Sequence, residues 1–226
     1  MRVLLIRHAQ TTSNTLGLLD SGVPGPELTP LGHDQARAIP AALAGRAVSS
    51  ITVSNMTRTS QTAEPLALDR GLTPVVDPGL REIAAGEMEM QSSLEAVKRY
   101  VGVAWAWSAG DLAPRMPGAQ NGFEFFERFD AAVDKALAEG GDAPVIVSHG
   151  ASIRVWVGNR CRNVPEAFAA EAELHNTGSA VLERDARGAW DLLEWNPLPL
   201  GGPALHGTSG PGEEDPTGSL TADEVH

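Results

Sequence analysis

Short apolar runs that alternate with amphipathic segments constrain the fold of this chain more than any other feature. Five runs have the length and composition of strands, and the segments between them carry apolar residues at helical spacing. Strands that alternate with helices build a mostly parallel sheet, because each return to the sheet uses a helical crossover. The sequence therefore predicts an α/β fold. The predicted strands are Val3–Ile6, Ser50–Val53, Val75–Val76, Pro144–Val147 and Ala180–Leu182.

Three segments between these strands carry the strongest helical patterns. The first, "LTPLGHDQARAIPAALAG", has Thr29 in an N-cap position, and Pro40 is expected to kink or shorten it. The others are "SSLEAVKRYVGVAWAWSAG" and "GFEFFERFDAAVDKALAEGG", the latter ending in two glycines. From about Gly201 the chain is rich in Gly, Pro, Ser and acidic residues without periodicity, which predicts a flexible tail over residues 201–226.

Two of the predicted strands lead directly into histidine. Arg7 and His8 follow the first strand, while Ser148 and His149 follow the strand at 144–147, just before a glycine and a new helical segment. Ligands of parallel sheets bind at the carboxyl ends of the strands. Both histidines are therefore expected at one edge of the sheet.

Arginine beside histidine indicates a phosphate site. The guanidinium group of Arg7 can form two charge-assisted hydrogen bonds to an oxyanion, while an imidazole nitrogen of His8 attacks phosphorus. A metal site fits less well, because neighbouring cations repel a divalent ion and the six histidines include no His-Glu-x-x-His pattern. Taken alone, the pair also fits a buried structural histidine beside a surface arginine.

Composition and charge limit the classes of partner. The net charge of −12 argues against nucleic acid or an acidic membrane, since either requires a basic surface. No apolar run approaches the roughly 18 residues of a membrane span, and the first run is too short for a signal peptide. The single cysteine, Cys161, excludes an internal disulfide. These features predict a cytoplasmic protein.

Five motifs in a fixed order make the phosphate interpretation specific. "RHAQTTSN" is followed by "ELTPLGHDQA", "SNMTRTSQTAEPLA", "LREIAAGEME" and "VIVSHGASIR". In these motifs the chain resembles the histidine phosphatase superfamily, the phosphoglycerate-mutase-like enzymes, over residues 2 to 198. The resemblance implies a three-layer sandwich in which helices flank the mostly parallel central sheet.

The resemblance also implies roles for individual residues. His8 is the nucleophile that becomes phosphohistidine, and His149 is the second catalytic histidine. Glu82 protonates the leaving alcohol and then, as a carboxylate, activates water. His8 must attack as neutral imidazole, so its other ring nitrogen is expected to donate to a backbone carbonyl and the arginines to lower its proton affinity. The implied phosphate-binding set is Arg7, Asn14, Arg58, His149 and Gly150, of which Arg7 and Arg58 also count as catalytic.

One residue and two segments depart from the family pattern. Arg-His-Gly reads Arg-His-Ala, and Ala9 is expected to be tolerated. The usual Gly-x-Trp-Glu-Gly reads "GEMEM", and the usual Gly-Glu-Ser before the next helix reads "GAQNGFEFF". Because these segments normally shape the substrate side, the sequence predicts an apolar pocket rim, unless the same residues form the core faces of two helices. The predicted rim is Met88, Met90, Trp105, Trp107, Phe123 and Phe126.

The predicted function is metal-independent hydrolysis of a phosphate monoester. Residues 1–200 are expected to form the catalytic domain, with a helical lid region at about 84–130, no cofactor and a small phosphorylated metabolite as partner. A cofactor-dependent phosphoglycerate mutase is the first alternative, although residues 84–122 contain only Lys98, Arg99 and Arg115 as bases. A catalytically weak binding protein on the same fold is the second. The oligomeric state is not readable from the sequence; a homodimer is compatible with the resemblance, since many relatives form dimers.

Overall fold

The computed structural model describes residues 1–207 and residue 217. Within these residues the chain forms six β-strands and seven α-helices. The strands are β1 (Arg2–Arg7), β2 (Ser50–Val53), β3 (Val75–Val76), β4 (Pro144–Ser148), β5 (Ser179–Arg184) and β6 (Trp190–Asn196). The helices are α1 (Thr12–Thr15), α2 (Pro30–Ala42), α3 (Thr57–Arg70), α4 (Leu94–Ser108), α5 (Gly122–Glu139), α6 (Gly150–Arg160) and α7 (Phe168–Glu171).

The strands form one sheet in the order β3-β2-β4-β1-β5-β6. The pairs among β1, β2, β3 and β4 are parallel, whereas β5 pairs antiparallel with both β1 and β6. The mostly parallel sheet expected from the sequence is confirmed. β6 was not predicted, because "WDLLEWN" is largely solvent-accessible and its apolar residues neither alternate nor form a continuous run.

Both faces of the sheet are covered, which makes the fold a three-layer sandwich. On one face, Val3 and Leu5 of β1 belong to a core cluster with residues of α4, α5 and α6. On the other face, Ile6 belongs to a second cluster with residues of α2 and α3, and Leu4 packs against it. Side chains of a strand alternate between the faces, so a strand covered on both sides reads as a continuous apolar run.

Four of the seven described α-helices begin after a residue whose side chain caps the helix: α1, α2, α4 and α5. Thr29 caps α2 by accepting a hydrogen bond from the Gly32 N–H at 3.0 Å. Pro40 lies inside α2, which ends at Ala42. None of the helices within residues 1–207 combines the length and the apolar character needed to cross a membrane.

Half of the residues predicted at a pocket rim lie in the hydrophobic core instead. Met88, Trp107 and Phe126 are buried in the cluster between the sheet and α4, α5 and α6. The rim prediction is wrong for these three, because they occupy the core faces of their segments. The other three are more accessible: Met90 and Phe123 are exposed, and Trp105 is half-buried.

The predicted tail is only partly described. A short 3₁₀ turn at Pro203–Leu205 packs against α2, with the Leu205 carbonyl 2.9 Å from Gln35 Nε2. Thr217 lies beside the first strand end, with its hydroxyl 3.3 Å from Arg7 Nη2. Residues 208–216 and 218–226 lie outside the described residues, so their flexibility stays a prediction.

Met90 has a left-handed backbone conformation, with φ of 60°. It stands where the family pattern has glycine, and this conformation costs a residue with a side chain about 1 kcal/mol or more. Met90→Gly is therefore expected to raise the free energy of unfolding by about 0.5–1 kcal/mol, measured by urea denaturation. Met90→Ala removes the same exposed side chain without relieving the backbone, so equal stabilities of the two variants would contradict this explanation.

Candidate active site

The carboxyl ends of β1 and β4 bring the two histidines together. Arg7 and Ser148 are partners in the parallel register, and the His8 N–H donates to the Ser148 carbonyl at 2.9 Å. His149 follows as the N-cap of α6, and the ring centroids of His8 and His149 are 5.2 Å apart. One edge of the sheet therefore holds both histidines, because adjacent parallel strands end side by side.

A backbone carbonyl selects the tautomer of His8. Its Nδ1 lies 2.8 Å from the carbonyl oxygen of Ala9. A carbonyl only accepts, so Nδ1 carries the proton and Nε2 keeps its lone pair, which is the arrangement expected of a nucleophile. Ala9 does not have a positive φ, and its N–H donates to Thr62 Oγ1 at 2.9 Å. Alanine is therefore accommodated where the family pattern has glycine.

Burial and neighbouring charges keep both histidines neutral. His8 is 2% exposed, and burial, followed by the charges of Arg58 and Arg7, lowers its pKa well below the ordinary value of 6.5. Burial, followed by the charge of Arg58, likewise lowers the pKa of His149. The sequence pointed to the arginines as the cause for His8, but burial is the larger one.

Neutral buried histidines make the stability of the protein depend on pH. Unfolded histidines gain a proton as pH falls below about 6.5, whereas folded His8 and His149 resist protonation. The unfolded state then binds more protons, so the free energy of unfolding is expected to fall by about 1.4 kcal/mol per histidine between about pH 7.5 and pH 5.5. Urea denaturation at both pH values measures this fall.

His149→Gln should make the fall smaller by about 1.4 kcal/mol, since one of the histidines with a lowered pKa is lost. His33→Gln changes an exposed histidine on α2 and serves as the control, which should keep the full fall. Identical pH dependence in wild type and His149→Gln would contradict the assignment of a neutral, buried His149.

Arg58 and Ser54 hold the second histidine from both sides. Arg58 lies in the first turn of α3, and its Nε donates to His149 Nδ1 at 3.3 Å. Because Nδ1 accepts this bond, Nε2 carries the proton and donates to Ser54 Oγ at 2.8 Å. The ring of His149 is thus fixed in orientation beside the guanidinium group that the sequence assigned to phosphate. Ser54 was not predicted, although it is the serine that opens the "SNMTRTSQTAEPLA" motif.

A carboxylate from the altered "GEMEM" segment holds the loop that contacts Arg58. Glu89 accepts hydrogen bonds from the N–H groups of Ser21 and Gly22, each at 2.9 Å, and from the Ser21 hydroxyl. The preceding residue, Asp20, accepts from Arg58 Nη2 through its carbonyl at 3.0 Å. Glu89 is therefore a positioning residue. The sequence contained the signal, since the glutamate of the family pattern is retained in "GEMEM", but the segment was interpreted only as a departure.

Glu82 is buried at the N-terminus of α6. Its Oε1 accepts hydrogen bonds from the Ile83 N–H at 2.9 Å and from the N–H and hydroxyl of Ser152, each at 2.8 Å. Its Oε2 accepts one, from the Ala151 N–H at 3.2 Å. Three donors occupy Oε1, so Oε2 is the oxygen placed to exchange a proton. The helix that follows His149 thus also orients the predicted acid and base.

Arg128 of α5 fixes the backbone that carries Glu82. Its guanidinium group donates to the carbonyls of Gly79 at 2.6 Å, Arg81 at 2.8 Å and Glu82 at 3.1 Å. The guanidinium carbon lies 5.0 Å from the centroid of the Phe125 ring. Arg128 was not among the predicted site residues, although a cation three positions after Phe125, on the apolar side of α5, was a usable signal.

Arg7 and Gly150 lie in close contact at the base of the site. Arg7 Nη1 donates to the Leu174 carbonyl at 2.7 Å, which fixes the guanidinium group at the sheet edge. A Cβ atom on Gly150 would lie 3.0 Å from Arg7 Nε, so glycine is the residue that lets the arginine approach the start of α6. The structure thus places the N-terminus of α6 against the predicted phosphate arginine.

Asn14 is linked to the nucleophile through Asn176. The Asn14 Oδ1 accepts from the Thr11 N–H at 2.9 Å and from Asn176 Nδ2 at 3.3 Å. The same Asn176 amide donates to the His8 carbonyl at 3.1 Å. The structure therefore places Asn14 at the predicted site, on the side where α1 begins, while its contact with phosphate stays a prediction.

Comparison with known proteins identifies relatives over most of the chain. Residues 3–197 match the sequence profile of the histidine phosphatase superfamily (branch 1). The PE-PGRS family protein PE_PGRS11 of Mycobacterium tuberculosis is 36% identical over 216 residues, which are 88% of this chain but 37% of that protein's length. The probable phosphoglycerate mutase GpmB of Yersinia pestis is 30% identical over 154 residues, 68% of this chain and 71% of that protein.

Solved structures share the fold. The mycobacterial glucosyl-3-phosphoglycerate phosphatase Rv2419c, in complex with VO3, has a TM-score of 0.73 at 24% identity, covering 87% of this chain and 99% of that one. The α-ribazole phosphatase from Shigella flexneri has a TM-score of 0.69 at 22% identity, covering 90% and 99%. With the fold shared and the superfamily profile matched from residue 3 to residue 197, this chain belongs to the histidine phosphatase superfamily (branch 1).

Proposed function

We propose that the protein hydrolyses a phosphate monoester without a metal ion, through a phosphohistidine on His8. The observation that carries this proposal is the state of His8. The Ala9 carbonyl holds Nδ1, so Nε2 keeps its lone pair, and the low pKa of the ring keeps it neutral. A neutral imidazole nitrogen close to the charges of Arg7 and Arg58 is suited to attack a phosphoryl group.

In the first step, His8 Nε2 forms a bond to phosphorus while the bond from phosphorus to the ester oxygen breaks. The leaving oxygen takes a proton from Glu82 Oε2, and the alcohol departs. Arg7 and Arg58 balance the negative charge that spreads over the three equatorial oxygens. Asn14 and the N–H of Gly150 are the further groups that we assign to the phosphate, and His149 supports them by orienting Arg58 through its Nδ1.

In the second step, water attacks the phosphohistidine as its N–P bond breaks. The carboxylate of Glu82 takes a proton from this water, and inorganic phosphate is released. His8 regains its lone pair and Glu82 regains its proton, so the protein returns to its starting state. The four hydrogen bonds to Glu82 keep one carboxyl group in place for both steps.

The proposed substrate is a small phosphorylated metabolite. Two structural neighbours are named as phosphatases of different small molecules, glucosyl-3-phosphoglycerate and α-ribazole. Their shared fold therefore accommodates leaving groups of different structure. The net charge of −12 favours small esters with few charges over polyanions, because the arginines of the site act against the field of the whole protein.

A phosphoglycerate mutase is the second candidate, since GpmB is named as one and is 30% identical. A mutase must protect its phosphohistidine from water and hold a second phosphate with further cations. Arg115 is paired with both carboxylate oxygens of Glu124, each at 3.0 Å, and Arg99 lies 3.7 Å from Glu87. These pairs engage two of the three bases between residues 84 and 122, which favours hydrolysis over transfer.

The test is phosphate release from p-nitrophenyl phosphate and a panel of metabolite phosphates, with a chelator present. Release that withstands the chelator would support the proposal. Isomerisation of 3-phosphoglycerate without phosphate release would instead support the mutase. A folded protein that does neither would support a binding function on the same fold.

A further inference from the structure

The segment that carries Glu82 has its backbone bound by side chains from three other elements. Five consecutive carbonyls, those of residues 79–83, each accept a hydrogen bond from a side chain. Arg128 of α5 binds three of these carbonyls, Ser148 of β4 binds a fourth, and Tyr100 of α4 binds the fifth. Side chains thus supply the partners that buried backbone groups require.

Tyr100 is a buried titratable group that the proposed reaction does not use. It is the only tyrosine of the chain, and its hydroxyl donates to the Ile83 carbonyl at 3.0 Å. Burial, followed by the charge of Glu82, raises the pKa of Tyr100 well above its usual value of 10. The hydroxyl therefore keeps its proton and is the donor in this bond. Its partner is the residue next to the proposed acid and base.

One peptide unit connects Arg128 to the carboxyl group of Glu82. The carbonyl of this unit accepts from Arg128 Nη2 at 3.1 Å, and its N–H, which belongs to Ile83, donates to Glu82 Oε1 at 2.9 Å. Burial lowers the pKa of Arg128 to about 9, so the guanidinium group stays charged at neutral pH. Hydrogen bonds in a chain polarise one another, so a cation at the carbonyl makes the N–H a stronger donor to Oε1.

The two contacts together fix both polar backbone groups of Ile83. Its N–H binds Glu82 Oε1, and its carbonyl binds Tyr100, so rotation of this backbone breaks at least one of these bonds. Oε1 is thereby kept in place by a polarised donor. Oε2 accepts one hydrogen bond, from the Ala151 N–H at 3.2 Å, and remains the oxygen placed to exchange a proton.

We propose that Tyr100 and Arg128 are positioning residues for the proton transfer by Glu82. The inference rests on the proposed function and names two groups on which its acid and base steps depend. Both residues act through the backbone of Ile83, and no bond to either of them forms or breaks in the reaction. The proton passes from Glu82 Oε2 to the leaving oxygen, and a proton of the attacking water returns to Oε2.

Two esters with aromatic leaving groups test this inference, p-nitrophenyl phosphate and benzyl phosphate. p-Nitrophenolate leaves without a proton, whereas benzyl alcohol requires one. In Tyr100→Phe, kcat/KM is expected to fall at least about 5-fold for benzyl phosphate and less than about 2-fold for p-nitrophenyl phosphate, because a displaced acid loses part of the benefit of proton transfer. In Arg128→Gln, which removes a charge as well, the fall for benzyl phosphate is expected to reach at least about 10-fold.

Trp107→Phe and Arg160→Gln are the matched controls. Trp107 is buried on the same helix as Tyr100, and its Nε1 also donates to a backbone carbonyl, at 2.8 Å. Arg160, like Arg128, lies against a phenylalanine ring, with its guanidinium carbon 4.1 Å from the centroid of Phe126. Both controls should keep the wild-type ratio of the two kcat/KM values. A loss of folded protein alone lowers both values by the same factor and leaves the ratio unchanged.

A wild-type ratio in Tyr100→Phe would overturn the inference while leaving the proposed hydrolysis intact. An equally large change of the ratio in Trp107→Phe would also overturn it. If Arg128→Gln does not fold, Tyr100→Phe decides the question, since it keeps the buried ring and removes only the hydroxyl. Absence of phosphate release from both esters by the wild-type protein would overturn the proposed function itself.

Discussion

Replacement of His8 by alanine is expected to lower kcat/KM for p-nitrophenyl phosphate by at least about 10,000-fold. The variant keeps Arg7, Arg58 and the N-terminus of α6, but it has no atom that can form a bond to phosphorus. Release of p-nitrophenolate measures the loss. After a labelled ester is mixed with the protein and quenched, the wild type should retain acid-labile phosphate, and the variant should retain none.

His33→Ala is the matched control for this experiment, because His33 is an exposed histidine on α2. It should keep full activity, which shows that loss of an imidazole is not harmful in general. Circular dichroism must show that His8→Ala is folded, since the ring that it removes is buried. A folded His8→Ala that retains more than about a hundredth of the activity would contradict a nucleophilic role.

Replacement of Glu82 by glutamine is expected to separate the two half-reactions. The group keeps its shape, but it can neither donate the proton nor take one from water, which lowers turnover about 100- to 10,000-fold. p-Nitrophenolate leaves without a proton, so the first step should be less affected than the second. Rapid mixing should show a burst of about one p-nitrophenolate per protein molecule, followed by slow release, while phosphohistidine accumulates.

An ester of a simple alcohol provides the comparison, because its leaving group needs the proton. With such an ester the burst should be absent in Glu82→Gln, and both steps should be slow. Glu87→Gln changes an exposed carboxylate five positions along the chain and should behave like the wild type. Equal loss of rate with both kinds of ester, without a burst, would contradict the assignment of Glu82 as the group that exchanges the proton.

The sheet edge and its two histidines were predictable because their signals are local. A continuous apolar run indicates a strand covered on both faces, and the polar residues that end it mark the carboxyl end of that strand. Because β1 and β4 are adjacent parallel strands, His8 and His149 lie close together, and no side-chain contact is needed to infer this. Ordered motifs added Arg58, Asn14 and Glu82, and the structure places all three at or beside this edge.

Features that depend on distant contacts were not predictable in the same way. The donors that hold Glu82 include Ser152, which is 70 positions along the chain, and no local pattern connects the two. Trp107 and Phe126 are apolar residues on helices, and their spacing alone does not distinguish a pocket rim from the core. Thr217 lies in a segment whose composition indicates flexibility, so its return to Arg7 could be seen only in the structure.

Thr217 contacts Arg7 and Arg154 from within the same chain. This affects the concentration of free ester that is needed to occupy the site. A tethered group reaches its partner at an effective concentration set by the connecting chain, often in the millimolar range for short flexible links. A free ester competes with that local concentration and not with the concentration of the protein. Dilution, which weakens a separate inhibitor, leaves this competition unchanged. The outcome then depends on the concentration of the free ester and on its affinity for the site, and not on the concentration of the protein.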